Sequence, residues 1–91
     1  MRRIELSKEA RKDIGKLPPK HARQISTKLF ELAANPAPAD SVVLKGHDTY
    51  RRATQGEYRI IYEFDDDLLS VLIVGKRNDD EVYRRLERKM K

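Results

Sequence analysis

The strongest constraint on the fold comes from two adjacent apolar segments, residues 57–64 and 68–77, which three consecutive aspartates separate. The second segment is apolar on both faces until Lys76, which is typical of a strand covered on both sides. The aspartates suit a tight turn, so the pair predicts an antiparallel hairpin. In the first segment alternate side chains form one apolar face, as in a half-buried strand: Tyr58, Ile60, Tyr62 and Phe64.

Further strands precede this hairpin. Residues 42–44 and 49–54 predict one broken strand or two, and the dipeptide of Gln55 and Gly56 supplies another tight turn. The second half of the chain is therefore expected to form an antiparallel meander.

The first half predicts a short strand followed by two helices. Residues 3–6 are the strand candidate, and Ser7 is placed to cap the first helix. The pair Pro18 and Pro19 ends that helix and starts the next one. Apolar residues recur at helical spacing in both helices: Ala10, Ile14 and Leu17 in the first, and Ala22, Ile25, Leu29, Leu32 and Ala33 in the second. Together they predict a helical hairpin.

A last helix follows the final strand. Asn78 is a candidate N-cap, with Glu81 at the position that completes a capping box. A thin apolar stripe of Val82, Leu86 and Met90 is all that this helix offers to a core. The order β-α-α-β-β-β-α predicts one α+β domain over residues 1–91, with the helical hairpin packed on a small antiparallel sheet.

Strand alternation also predicts where arginines gather. We expect the helical hairpin to cover the face of the 57–64 strand that carries Tyr58 and Ile60, which leaves Arg59 on the other face. Counting without a bulge places Arg51 and Arg77 on that same open face. Three adjacent strands would then present three arginines together.

Charge and composition limit the function classes. Lys and Arg exceed Asp and Glu by 20 to 15, and this balance favours an anionic partner such as nucleic acid, an acidic protein or a membrane surface. Cysteine is absent and the two histidines are far apart, which argues against a disulfide scaffold or a zinc site. The sequence also lacks a glycine-rich nucleotide loop, a signal core and an apolar run of roughly 20 residues. We expect a cytoplasmic protein without a cofactor.

Basic and aromatic side chains remain as the candidates for chemistry. Guanidinium groups bind two phosphate oxygens at once, and tyrosine rings stack on unpaired bases, so the set fits single-stranded RNA. The aspartates of residues 65–67 are instead expected to form a solvated turn. The candidates are Tyr50, Arg51, Arg52, Tyr58, Arg59, Lys76, Arg77, Tyr83, Arg84 and Arg85.

Four short segments, taken in order, resemble the RelE/ParE toxin superfamily. They are Tyr-Arg-Arg at 50–52, Gly-Glu-Tyr-Arg-Ile-Ile-Tyr at 56–62, Val-Gly-Lys-Arg at 74–77 and Glu-Val-Tyr-Arg at 81–84. The order of predicted elements is similar to that fold as well. The resemblance covers nearly the whole chain.

The resemblance implies one of two activities. RelE-type toxins cut messenger RNA in the ribosomal A site, whereas ParE-type toxins inhibit DNA gyrase. Carried over from the RelE type, the catalytic residues are Arg51, Arg59, Arg77 and Tyr83. A second basic residue of that type falls at Ala53, which is a departure, or at Arg52. We expect further RNA contacts from Arg52, Lys45, Lys76 and Arg84.

A metal-free ribonuclease uses the neighbouring 2′-hydroxyl as nucleophile and needs a base, an acid and cations. Arginine supplies cations but does not exchange protons near neutral pH. Arg59 and Arg77 would hold the phosphate while Arg51 stabilises its charge. Tyr83 and Lys76 are then the main proton carriers, and Glu81 and His47 are weaker candidates.

These arguments favour the toxin of a type II toxin–antitoxin pair that cleaves mRNA on the ribosome. The alternatives are a gyrase inhibitor of the ParE type, which the departure at Ala53 favours, and a non-toxic co-repressor that acts through its antitoxin. The expected partners are an acidic antitoxin, mRNA and the ribosomal A site. Operator DNA would be reached only through the antitoxin, and no membrane is involved.

Overall fold

The hairpin and the meander both form. In this computed structural model, which describes residues 1–77 and 80–89, the described residues form five strands and three helices. The elements are β1 (Arg3–Leu6), α1 (Lys8–Gly15), α2 (Pro19–Ala34), β2 (Val42–Leu44), β3 (His47–Gln55), β4 (Tyr58–Phe64), β5 (Leu68–Lys76) and α3 (Glu81–Lys89). The predicted α+β class is confirmed, and the broken strand is two strands.

The sheet has the order β1-β5-β4-β3-β2. Strands β2 to β5 pair with antiparallel neighbours, but β1 lies parallel to β5, so the sheet is mixed and not wholly antiparallel as expected. The reason is the helical hairpin, which carries the chain from β1 at one edge to β2 at the opposite edge. Ser7 caps the N-terminus of α1 as predicted, because its Oγ accepts the Ala10 N–H at 3.0 Å.

One face of the sheet, called here the hairpin face, is covered by α1 and α2. Ile25 and Leu32 of α2 and Tyr62 of β4 are fully buried there. The hydroxyl of Tyr62 donates to the Pro36 carbonyl at 2.6 Å, which satisfies its only polar group. Phe64 pairs with Leu69 on the same face, as predicted, but it ends the strand and lies outside the buried core. It is 37% exposed, and the Arg2 guanidinium lies 5.4 Å from its ring centre.

The opposite face, called here the α3 face, is not open as expected, because α3 lies on it. Val82 and Leu86 of α3 pack against Ile61, Ile73 and Leu44 of the sheet, and all five are buried. Met90, the third residue of the predicted apolar stripe, and the predicted N-cap Asn78 lie outside the described residues. Glu81 is the first residue of α3 and not the third, as the predicted capping box requires. Among those that are described, no helix is long and apolar enough to cross a membrane.

A bulge in β5 corrects the predicted alternation of that strand. Ile61 pairs with Ile73 but Tyr62 pairs with Val71, so Leu72 is the extra residue. Leu69 and Val71 therefore belong to the hairpin face while Ile73 belongs to the α3 face, which counting without a bulge would not give. The bulge realigns the end of β5, where the candidate residue Arg77 follows.

Candidate active site

Two arginines and a tyrosine meet on the α3 face. Arg52 of β3 donates from Nη1 to the Tyr83 hydroxyl at 2.6 Å. Arg59 of β4 places its guanidinium carbon 5.3 Å from the centre of the Tyr83 ring, which is cation–π distance. We call Arg52, Arg59 and Tyr83 the arginine–tyrosine cluster. Two guanidinium groups and one phenol hydroxyl thus lie close together between α3 and the sheet.

Arg59 has unused hydrogen-bonding capacity. Its side chain is only 20% exposed, and Nη1 is buried without a hydrogen-bond partner among the described residues. The Asp80 carboxylate lies 3.7 Å from Nη1, which balances charge but is too long for a hydrogen bond. A buried N–H without an acceptor costs stability, so this atom is suited to an incoming anionic oxygen.

Strand register places the cluster. Thr54 pairs with Arg59 and Arg52 pairs with Ile61, so side chains of even-numbered β3 residues share the α3 face with Arg59. Helix α3 then lies close to β5, because Gly75 has no side chain there. A Cβ at Gly75 would stand 2.8 Å from Cγ1 of Val82. The glycine of the Gly75-Lys76-Arg77 segment is therefore required by the packing of the helix that carries Tyr83.

Arg51 does not join the cluster, and this corrects the sequence prediction. Arg51 pairs with Tyr62, so it lies on the hairpin face. Its Nη2 and Nε donate to Oγ of Ser41 at 2.9 and 3.2 Å. Ala53 is fully buried in the core of the same face and presents nothing to the cluster. The second placement considered for the basic residue, Arg52, is the one that reaches Tyr83.

The family model described as ParE toxin of the type II toxin–antitoxin system parDE matches residues 4–81. The chain belongs to this family of toxins. It lies within the RelE/ParE superfamily that the sequence motifs predicted. No curated protein matches the chain significantly.

Solved structures of toxins share the fold. The RelBE2 toxin–antitoxin complex of Mycobacterium tuberculosis is 27% identical with TM-score 0.72, covering 81% of this chain and 95% of that one. The archaeal RelE–RelB complex of Pyrococcus horikoshii is 27% identical with TM-score 0.74, covering 86% and 97%. A double mutant of Escherichia coli RelE in the free state is 25% identical with TM-score 0.79, covering 97% and 96%.

The remaining site candidates of this toxin form no bond to the cluster among the described residues. Arg77 follows β5, its backbone N–H donates to the Glu57 carbonyl at 2.9 Å, and its side chain is exposed. Lys45 in the β2–β3 turn and Arg84 on α3 are exposed as well. Lys76 is also exposed, but it pairs with Tyr58 and so lies on the hairpin face, which corrects its predicted place as a proton carrier beside Tyr83. Among the described residues, no hydrogen bond or ion pair joins these four side chains to Arg52, Arg59 or Tyr83.

A cleft of about 380 Å³ opens beside the cluster between β2 and α3. It is lined by Arg52, Tyr83 and Lys45 and by the half-exposed Val42 and Val43. His47 lies at the start of β3 and contacts Glu87 at 3.1 Å, so it also ties α3 to the sheet. Apolar walls beside a cationic cluster suit a base attached to a phosphate.

The acidic turn has a structural role. Oδ1 of Asp65 accepts the N–H groups of Asp67 and Leu68, both at 2.8 Å. These backbone hydrogen bonds lower the pKa of Asp65 because they favour the ionised carboxylate. Within the described part of the chain, no three carboxylate or histidine side chains come together as they would around a metal ion.

The sequence analysis left Arg52 as one of two placements for the second basic residue, and it missed Asp80 as the charge partner of Arg59. A signal for Arg52 was present. Counting back from the turn at Gly56 pairs Thr54 with Arg59, and the residue two before Thr54 is Arg52. No comparable pattern in the sequence predicts the pairing of Asp80 with Arg59. Asp80 has a positive φ of 53° and lies just before α3.

Proposed function

We propose that this toxin cuts mRNA on the ribosome, using arginine cations where other ribonucleases use a metal ion or a histidine pair. The observation that carries the proposal is the position of Tyr83, which lies in contact with Arg52 and Arg59 on one face of the sheet. Phosphate binds to guanidinium groups, and a phenol between two of them is placed to exchange a proton with it.

The hydrogen bonding of Tyr83 suggests its direction of proton transfer. Arg52 donates to the Tyr83 oxygen, so the hydroxyl hydrogen is left for another acceptor. In the proposed step the 2′-oxygen attacks phosphorus, a 2′,3′-cyclic phosphate forms, and the bond to the 5′-oxygen breaks. Tyr83 gives its proton to that leaving oxygen.

Cations then stabilise the charge of the pentacoordinate phosphorane. Arg59 offers the buried Nη1, for which the described residues supply no hydrogen-bond acceptor, and Arg77 is expected to hold the phosphate from the end of β5. The candidate base for the 2′-hydroxyl proton is Glu81, which is exposed in the first turn of the helix that carries Tyr83. Positioning by the ribosome would supply much of the rate.

We also propose an antitoxin as partner, because similar toxins were solved as RelB–RelE complexes. The net charge of +5 selects an acidic antitoxin. Operator DNA would be bound only through that antitoxin, and the ribosomal target places the action of the toxin in the cytoplasm. No partner in a membrane is required.

Mapping of transcript 5′ ends after induction, beside a gyrase supercoiling assay, tests the proposal. We expect new 5′ ends within translated codons and unchanged supercoiling. The Tyr83→Phe variant should lose the new ends, whereas Arg88→Gln, an exposed change on the same helix, should keep them. Growth arrest with inhibited gyrase and intact transcripts would overturn the proposal in favour of a ParE-type target, and absence of growth arrest would favour a co-repressor.

A further inference from the structure

The side of α3 remote from the cluster is held by partly buried charges. Nη2 of Arg85 lies 2.9 and 2.8 Å from the two carboxylate oxygens of Asp13 and 3.0 Å from Oε2 of Glu9. The side chains of Arg85 and Asp13 are only 15% and 14% exposed. A pair this shielded from water is not a solvated surface ion pair, whose contribution is small.

The Asp13 carboxylate also bonds to the sheet. β1 pairs with β5 only over residues 68–71, so the later part of β5 has a free edge. There the Val74 N–H donates to Oδ2 of Asp13 at 3.1 Å. Asp13 of α1 thus joins β5 and α3 at one point. Burial lowers the pKa of Arg85, but the hydrogen bonds and charges of Asp13 and Glu9 outweigh it and raise the pKa overall.

The position of Arg85 along α3 gives this pair a geometric consequence. Successive helical residues are about 100° apart, so Arg85 lies about 200° around the helix from Tyr83. Only Val82 and Leu86 are buried beneath α3 among its described residues, and so narrow a stripe leaves the helix able to roll about its axis. The ion pair of Arg85 with Asp13, on the side of the helix opposite Tyr83, opposes that rotation.

We propose that Asp13 and Arg85 are positioning residues that fix the rotation of α3 and thereby hold the Tyr83 phenol against Arg52 and Arg59. Neither is expected to touch RNA. The catalytic consequence rests on the proposed function, whereas the positioning itself is a property of the free toxin. Loss of the pair should release Tyr83 while leaving the hairpin face intact, because that core contains neither residue.

Fluorine NMR of the full chain labelled with 3-fluorotyrosine, without RNA, tests the positioning. The chain has four tyrosines, and Tyr83→Phe identifies the Tyr83 resonance. In Asp13→Asn we expect that resonance to move toward the shift of a solvated tyrosine while those of the buried Tyr58 and Tyr62 stay in place. The control Arg88→Gln should move none of them.

A second variant covers the case in which Asp13→Asn unfolds and collapses all the resonances together. Arg85→Lys keeps the charge but loses the guanidinium fork, and it should release Tyr83 in part. An unmoved Tyr83 resonance in a folded Asp13→Asn or Arg85→Lys protein would overturn the proposal.

Single-turnover cleavage on programmed ribosomes separates this inference from the proposed function. We expect Asp13→Asn to lower the maximal rate by about 10- to 100-fold, with little change in the concentration needed for half-maximal rate, because Tyr83 is misplaced. Asp13→Glu should recover part of the rate. If the unaltered toxin does not cleave but Tyr83 is released in Asp13→Asn, the proposed function fails and the positioning stands. If the unaltered toxin cleaves but Tyr83 stays in place in Asp13→Asn, the positioning fails and the proposed function stands.

Discussion

The two faces of the sheet are built differently. The hairpin face is closed by two helices over large buried side chains such as Ile25, Leu32 and Tyr62, whereas the α3 face is closed by one helix that buries Val82 and Leu86. Polar and charged contacts make up much of the remaining attachment of α3, at Tyr83, Arg85 and Glu87. Stability is thus concentrated on one face, and the proposed chemistry on the face that is less firmly covered.

The largest effect on stability is expected from the hairpin face. Leu32→Ala removes a fully buried side chain from its centre and should lower the free energy of unfolding by about 2–5 kcal/mol. Leu86→Ala, which truncates an equally buried leucine in α3, should cost less because the thinner α3 face relaxes into the space. Urea denaturation of both variants measures this difference. Equal losses would mean that α3 belongs to the same cooperative core.

Cleavage activity, unlike stability, should depend most on the α3 face. Tyr83→Phe keeps the ring beside Arg59 and removes only the hydroxyl, so we expect cleavage to slow by about 100-fold or more. The free energy of unfolding should fall by only about 0.5–1.5 kcal/mol, since one hydrogen bond to Arg52 is lost. Rate assays and denaturation on one preparation test both parts. A Tyr83→Phe protein of normal rate would exclude this tyrosine as the acid.

The packing of α3 against Gly75 of β5 should give a change in stability of intermediate size. Gly75→Ala places a methyl group 2.8 Å from Cγ1 of Val82, which must move. Overpacking of this kind costs about 1–3 kcal/mol, and it should displace α3 without disturbing the hairpin face. Hydrogen exchange would then be faster in residues 81–89 and unchanged in α2. Gly15→Ala is a matched control, because a Cβ at Gly15 meets no atom within 4 Å.

The smallest effect is expected at the β4–β5 turn. The lowered pKa of Asp65 means that its stabilising contribution is present above the pKa of the unfolded chain, near 3.9, and is lost as the pH falls through the folded value. Asp65→Asn keeps an acceptor oxygen but does not ionise. The stability difference between the two proteins should therefore be larger at pH 7 than at pH 3. A difference independent of pH would contradict this role of the Asp65 charge.

Local signals in the sequence predicted most of the fold. The cap at Ser7, the break at Pro18 and Pro19 and the alternation of residues 58–62 each act through neighbouring residues, and each is confirmed. The parallel position of β1 and the bulge at Leu72 depend on strands distant in the chain, so no local pattern announced them. The Asp13–Arg85 pair spans 72 residues and was missed for the same reason.

Most of the candidate site was also predicted, but the face of Arg51 was predicted wrongly. The motifs identified Arg59, Arg77 and Tyr83, and the structure brings the first and third together. Arg51 was placed on the wrong face because side chains alternate with a period of two, so an error of one residue reverses the face of every side chain in a strand. The pairing of Thr54 with Arg59 shows that Arg52 occupies the α3 face.

Arg51 and Arg52 provide the most direct test, since they are adjacent, chemically identical and on opposite faces of the sheet. Single-turnover cleavage on programmed ribosomes should be measured for Arg51→Gln and Arg52→Gln, each at a temperature where circular dichroism shows it folded. The cluster on the α3 face predicts that Arg52→Gln loses about 10- to 100-fold or more in rate and that Arg51→Gln cleaves like the unaltered toxin. Slow cleavage by Arg51→Gln with normal cleavage by Arg52→Gln would contradict the assignment of the active site to this face.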